Sequence, residues 1–473
     1  MPSQTAAQFS LQGIDLYTNP LTNEGNFLRA INVDSYPSGG IKKRAGYETF
    51  LGTSNGSAVQ SLFQWTNDTG SQSYLYAKKG NVLQYYDVTA GTGDWATCGN
   101  GTFSGTTYIG HAILENTLIV GDGIGSTRHT TNGTSFTDTT GAPIAGKFEQ
   151  YQQRIYAAGT STLFYSTTGT AIDWSGVSPS DSSSIQIPGE GSIKALTKID
   201  DRLVTHKASG NMFSWDGDYL VDMSTNYGMS SPQSYAKTEN YGFWLNREGI
   251  YGFGGNRPEL VSNNIQPYIY NDDATGIVGT VFNNAPGVCF KFDYYLSVGT
   301  ITDDITKVAI NNAVIKYNYQ KNLFHIYSFA NRPTAMSFYE DSSGVEHLIF
   351  GDSVGQVYKF GGTATSDNGA PIEAICEMVI GAGAPNDFKQ WYEYNAFFNP
   401  GSKAKLQIGI SDTFRRDGIK QLEVGDTSDG DIHWRFPQGS RSQLLYLKVY
   451  ENSGGPRFEW YGHAIDFEVS DIR

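Results

Sequence analysis

SYLYAKKGNVLQYYD, residues 73–87, reads as a strand, a tight turn at Lys79, Gly80 and Asn81, and a second strand rich in tyrosine. The same unit returns along the chain. It appears as NTLIVGDGIGSTRHTT (116–131), QRIYAAGTSTLFYST (153–167) and DRLVTHKASGNMFSWDG (201–217). It recurs as YGFWLNREGIYGFGG (241–255), as YYLSVGTITDDI (294–305) with a longer insert, and as HLIFGDSVGQVYKFGG (347–362). Successive starts are 43, 37, 48, 40, 53 and 53 residues apart. A four-stranded propeller blade occupies about 40–50 residues, so the period predicts a closed ring of such blades. Seven units predict seven blades, with six the alternative because of the insert after Tyr294. A β-sandwich is the other fold that short strands at this spacing allow.

Composition points the same way. Glycine is 55 of 473 residues, aromatics make up 14% and charged residues 17%, where a soluble protein has about a quarter. Long helices need Ala, Leu, Glu and Lys in amphipathic runs, and these are missing. No stretch approaches 18 consecutive apolar residues, so no membrane insertion is expected. The opening MPSQTAAQFSLQGIDLY lacks the basic and apolar regions of a signal peptide. Cys98, Cys289 and Cys376 are too far apart for a zinc site or disulfide framework, which fits assembly in a reducing cytoplasm. Net charge is −14, which disfavours a grip on nucleic acid phosphates but permits DNA to pass by.

The repeats end near Gly362, and residues 361–371 (GGTATSDNGAP) read as a polar linker. Alternation resumes in KLQIGI (405–410), QLLYLKVYE (443–451) and HAIDFEVSD (463–471). This has the period of half-buried strands and predicts a β-sandwich or jelly roll of four to seven strands. The first 50 residues are turn-rich, and Pro20 and Pro37 keep them from being a helix. The expected organisation is an extended N-terminal segment (1–55) packed on the C-terminal platform, a propeller (56–362) and the platform itself (363–473).

No catalytic motif emerges, and no cofactor or metal site is expected. The seven histidines form neither HxH nor HExxH, and no GxSxG elbow exists. GDGIG (121–125) lacks the lysine of a phosphate loop and reads as a hairpin turn. Asp200 and Asp201, Asp272 and Asp273, and Asp303 and Asp304 raise the prospect of paired carboxylates, but all three pairs sit in turn-like sequence and read as solvated turns. DTSDGD (426–431) has the oxygen density of a calcium loop without its terminal Glu. The eight tryptophans read as packing between blades rather than as sugar platforms. The run Lys42, Lys43, Arg44 is too short for a nucleic-acid patch.

The stretch GIDLYTNPLTNEGNFLRAINVDSYPSGGIKKRAGYETFLG (13–52) resembles the opening of bacteriophage tail proteins of the nozzle family, which includes tail tubular protein B and packaged-DNA stabilisation proteins. The matching positions are Gly13, Asp15 and Leu16, then Gly25, Arg29, Asn32 and Val33, then Gly39 and Gly40, and finally Lys43, Arg44, Gly46 and Tyr47. Ala45 stands where the family more often has proline. The closing FEWYGHAIDFEVSDIR (458–473) is similar to family C-termini through Gly462, Ile465, Phe467 and Glu468. The resemblance implies a non-enzymatic virion protein assembled in the host cytoplasm: a homohexameric ring below the portal and adaptor proteins. Such a ring would extend the DNA channel, help retain packaged DNA, let it pass without specific binding, and carry fibres or spikes. It places Arg29, Lys43, Arg44 and Tyr47 at the platform and ring assembly. The rival expectations are a receptor-binding or glycan-binding propeller and a propeller glycosidase.

Overall fold

In the computed structural model six four-stranded antiparallel sheets follow one another, and they are the blades of a β-propeller. Five occupy residues 59–102, 110–138, 148–186, 193–224 and 236–260. The sixth takes Ala335–Glu340, Glu346–Gly351 and Val357–Phe360 and is completed by a strand from the other end of the chain. The structure describes residues 4–8, 11–16, 25–35, 39–52, 54–105, 107–175, 182–224, 227–238, 240–255, 257–270, 277, 284–303, 306–381, 387–399, 404–411, 420–426, 430–451 and 458–469. Pro20, Pro37, Asp272, Asp273, Asp304 and residues 427–429 of DTSDGD lie outside these. Helix is confined, among the described residues, to Gln266–Ile269 and two short 3-10 turns.

The repeated hairpins are the second and third strands of these sheets. Ser73–Lys79 is buried along its whole length, because neighbouring blades cover both of its faces. Between each pair of adjacent sheets lies an apolar cluster. Phe63, Trp65, Tyr76, Leu118 and Val120 fill the first interval, and Ile119, Phe148, Ile155 and Ala157 the next. Fourth strands are polar and exposed, as in Ala96–Thr102, since they face water at the rim. First strands lie side by side around the centre: Gly110–Leu114 against Phe148–Tyr151, that against Ile193–Ile199, and Ala335–Glu340 against Val59–Thr66.

A further antiparallel meander, Gly287–Phe290, Asp293–Thr302, Ala309–Asn318 and Leu323–Ser328, carries the repeat that begins at Tyr294. Its first strand contacts both Ala236–Lys237 and Ala335–Glu340. Unlike the six blades, it continues sideways into a nine-stranded sheet.

The N-terminal region supplies five strands: β1 (Gln4–Gln8), β2 (Arg29–Ile31), β3 (Val33–Ser35), β4 (Ile41–Lys43) and β5 (Tyr47–Leu51). β2 joins the meander to the C-terminal strands. It is parallel to Leu323–Ser328 at Ile31 and Ile326, and antiparallel to Ala374–Ile380. β1 and β4 both pair with Glu459–Val469 in a seven-stranded sheet. β5 is the outer strand of the sixth blade, with Tyr47 opposite Phe360 and Leu51 opposite Val357. Residues 363–473 contribute eight strands among the described residues, and their two sheets share one apolar cluster. Trp391 and Trp460 from one sheet, and Leu406, Leu447 and Met378 from the other, belong to it.

Candidate functional site

The N-terminal segment threads between propeller and C-terminal sheets, and Asn32, Lys43 and Arg44 are buried there. Asn32 separates β2 from β3 with φ at 57°, a left-handed conformation that Asn tolerates better than most residues. This kink sends the chain from the nine-stranded sheet into the seven-stranded one. The Asn32 amide donates to the Glu373 carbonyl (2.6 Å), and its oxygen accepts from Arg44 Nε and the Ser328 N–H, both at 2.8 Å. One side chain therefore ties together three remote parts of the chain.

Arg44 is completely buried, and all five of its N–H donors are used. Nη1 and Nη2 hold Asp367 in a two-pronged pair at 2.7 and 2.6 Å. The remaining donors reach Asn32 and the carbonyls of Ala45 and Ser328. The guanidinium also sits 4.7 Å from the centre of the Phe329 ring. Asp367 and its neighbours are thus part of the lock rather than a solvated linker. A bridge between Asp367 and Ala370 folds the stretch back on itself, and this tertiary pairing overrides its polar, turn-rich composition.

Four more ion pairs among the described residues, buried or largely so, bind the segment. Arg29 meets Asp303 and, at 3.1 Å, Glu377. Lys43 pairs with Glu451, both about 1% exposed. Asp34 accepts from Lys316 (2.6 Å) and from the Tyr327 hydroxyl. Burial raises the Asp34 pKa, but Lys316 and these hydrogen bonds outweigh it and hold the carboxyl at about 2. Tyr47 lies in the sixth blade, edge-on to Phe350 and Tyr358, with its hydroxyl donating to Asn331 (3.0 Å). All four residues expected at assembly contacts are therefore engaged inside the chain. Asp303, read as a solvated turn, is buried because Arg29 lies against it.

Gly46 leaves no room for a side chain: a β-carbon there would lie 2.0 Å from the Ser366 carbonyl. Gly46→Ala is expected to destabilise the fold by about 1–3 kcal/mol through overpacking. A urea midpoint equal to that of the parent chain would count against the tight threading.

A second feature is a cavity of about 700 Å³ at the propeller centre, lined by the first strands of all six blades and by Gly287–Cys289 of the meander. Glu149 faces it, with its pKa raised by burial and only partly lowered again by Lys237 at 3.6 Å. Lys147 is pushed down by burial and by nearby Lys194. His111 stacks flat on Phe63 (4.1 Å between ring centres), and burial lowers it to about 4. Glu149 is the one carboxylate lining the cavity among the described residues, so the two-carboxylate arrangement of a glycosidase is not assembled there.

The remaining candidates fall in structural positions. Asp200 and Asp201 form an exposed turn between strands Ile193–Ile199 and Arg202–Lys207. In GDGIG, Asp122 accepts from the N–H groups of Gly105, Ile124 and Gly125, fixing a turn. None of the eight tryptophans is exposed, and Trp65, Trp244, Trp391 and Trp460 are wholly buried. No cluster of three or more metal-ligating side chains occurs among the described residues.

No family model matches the chain, and no curated protein is significantly similar to it. Among solved structures it is similar to the WD40 β-propeller domain of Doa1, with 11% identity over 67% of this chain and 97% of that one, at a TM-score of 0.40. It is also similar to YCF48 bound to D1 peptide (8% identity, 70% and 99% covered, TM-score 0.44) and to YCF48 from Cyanidioschyzon merolae (10%, 67% and 98%, 0.42). Likeness at this level concerns the fold alone.

Proposed function

We propose that this chain is a structural subunit of a tailed-phage particle: a nozzle ring that extends the DNA channel below the portal and adaptor, retains packaged DNA and guides its ejection. The observation that carries the reading is where the resemblance falls in the fold. The matched N-terminal residues are the ones on which the segment is threaded. Gly13 lies against the Phe324 backbone, Gly46 against Ser366, and Asn32 makes the kink between sheets. Arg29, Lys43, Arg44 and Tyr47 supply the buried contacts. A match spread over surface turns would have no such reason to share these positions.

In this reading the 287–328 meander is a seventh blade, and the two C-terminal sheets are a sandwich platform. The sheet shared through β2 makes propeller and platform one stiff body, which suits a wall around a pressurised channel. Six copies joined by head-to-tail contacts would close a homohexamer. With 14 net negative charges per chain, its wall would repel DNA and let it slide. The proposed role is non-enzymatic, and its site of action is the virion.

Cryo-electron microscopy of intact particles tests it. The expected result is a sixfold ring on the portal axis into which this chain fits. Propeller density only at fibre ends, or none in the particle, would overturn the proposal and favour a receptor-binding module.

A further inference from the structure

β1 is lightly held by its own chain. Its pairing, with Glu459–Val469, runs over five consecutive residues, from Gln4 opposite Phe467 to Gln8 opposite His463. Gln4, Thr5 and Ala7 are exposed, Ala6 packs half-buried on the core beneath, and Thr5 Oγ1 donates to the Asp466 carboxylate at 2.6 Å. We propose that β1 is an exchange arm. In the ring proposed above, on which this inference rests, it pairs with residues 463–467 of the next copy of this chain, in the register it shows here.

The acceptor is a sheet edge that needs a strand. Lys389–Phe398 lies along one side of Glu459–Val469, and β4 covers the other side only at Glu459 and Trp460. β1 completes that second side, beside Ile465 and Phe467, which are buried in the core. A strand from a second copy satisfies the same backbone groups, so exchange costs little in contacts. Arm and edge are different surfaces of the chain. Each copy gives one arm and takes one, and such head-to-tail contacts close into rings.

The arm's sequence suits the exchange. Edge strands that stay alone are blunted by charges, proline or bulges. The QTAAQ of β1 is uncharged, has no proline and pairs without a register shift. Other edges are blunted: Ile432–Arg435, in the same sheet, ends in an Arg435 that is 77% exposed, and β5 pairs with a shift and presents an exposed Glu48. Residues 1–14 hold no charged side chain, so the arm passes between two copies of net charge −14 without adding repulsion.

Reach fixes where the copies meet. Leu11 is buried, with its N–H donating to the Gly39 carbonyl at 2.6 Å. Three residue steps separate it from Gln8, at most about 11 Å of extended chain. His463 of the next copy must therefore lie within about 16 Å of Leu11, that reach plus one strand spacing. Short connections of this kind invite exchange.

Thr5 and Asp466 face each other at a spacing that a disulfide spans. Cys98, Cys289 and Cys376 are buried and do not compete. Particles carrying the double variant Thr5→Cys/Asp466→Cys, mildly oxidised and run on a denaturing non-reducing gel, show on which copy each arm sits. A covalent ladder reaching six chains is expected. A product confined to single chains overturns the proposal, and so does one that stops at two chains, which is reciprocal exchange rather than a ring. A sixfold ring whose bonds stay within single chains leaves the nozzle reading standing and removes the exchange alone. If the chain is absent from particles, or the double variant does not fold, purified full-length chain decides. Differently tagged Thr5→Cys and Asp466→Cys chains, co-expressed, must form a covalent heterodimer at least tenfold above the homodimer of either variant alone. No such excess overturns the exchange.

Discussion

Replacing Arg44 with methionine should cost the folded chain about 3–5 kcal/mol, the penalty for leaving a buried charge without its partner. Methionine fills a similar volume, so the loss is electrostatic rather than a cavity. Asp367, 3% exposed, would lose both prongs of its ion pair, and Asn32 and the Ser328 carbonyl would each lose a donor. Arg44→Lys keeps the charge but not the planar fork, and it should fall between parent and Arg44→Met. Adding Asp367→Asn to Arg44→Met removes the orphaned carboxylate and should recover part of the loss, a positive coupling between neighbours. Urea unfolding followed by tryptophan fluorescence measures all four chains. An Arg44→Met midpoint within about 0.5 kcal/mol of the parent, the scatter of ordinary surface changes, would mean that the junction is not needed for stability.

Stability should also fall steeply on acidification, beginning near pH 6.5. His206 and His325 are pushed down to about 3 by burial, and His463 to about 4. For His325 the Lys316 ammonium adds to the effect. In the unfolded chain each titrates near 6.5. Between these values the unfolded state binds protons that the fold refuses, so stability is full above pH 6.5 and declines as pH drops toward 4. Each histidine contributes a slope of up to about 1.4 kcal/mol per pH unit, and these three with His111, lowered to about 4 as well, together give about 5.5. Asp34 acts lower down: its carboxyl, held at about 2, contributes stability above about pH 4 that is lost as pH falls through 2. His463 stacks on Tyr394, and its Nδ1 has no partner among the described residues. His463→Phe should therefore fold and flatten the slope by about one quarter. A urea midpoint that stays level from pH 7 to pH 5 would refute the assignment.

The propeller was readable because its second and third strands are local. Tyr74, Tyr76 and Leu75 are buried between blades by the same hairpin whose turn, at Gly80, is written beside them. First and fourth strands were much less legible. Ala96–Thr102 is polar and faces water, and Ala236–Lys237 is only two residues long, so neither imprints a hydrophobic period. The polar stretch after Gly362 misled for a related reason: composition registers solvation, and Asp367 is buried by a charge that arrives from elsewhere in the chain.

Composition, spacing and turn chemistry by themselves determined an all-β chain, a recurring hairpin and a change of pattern near residue 362, because each depends on neighbours within a few positions. Arg29, Lys43, Arg44 and Tyr47 were singled out by the resemblance of the N-terminal segment, not by composition or spacing. Only the tertiary structure decided what those residues touch. Asp303, Asp367, Glu377 and Glu451 are ordinary acids in sequence, and nothing local distinguishes them from the acids that remain in water. The pairing of β5 with Val357–Phe360 and of β2 with Ala374–Ile380 rests on backbone hydrogen bonds, which every residue but proline can make. Such bonds leave no mark in composition, so the closing of the ring and the stitch to the C-terminal sheets become visible only when the chain is folded.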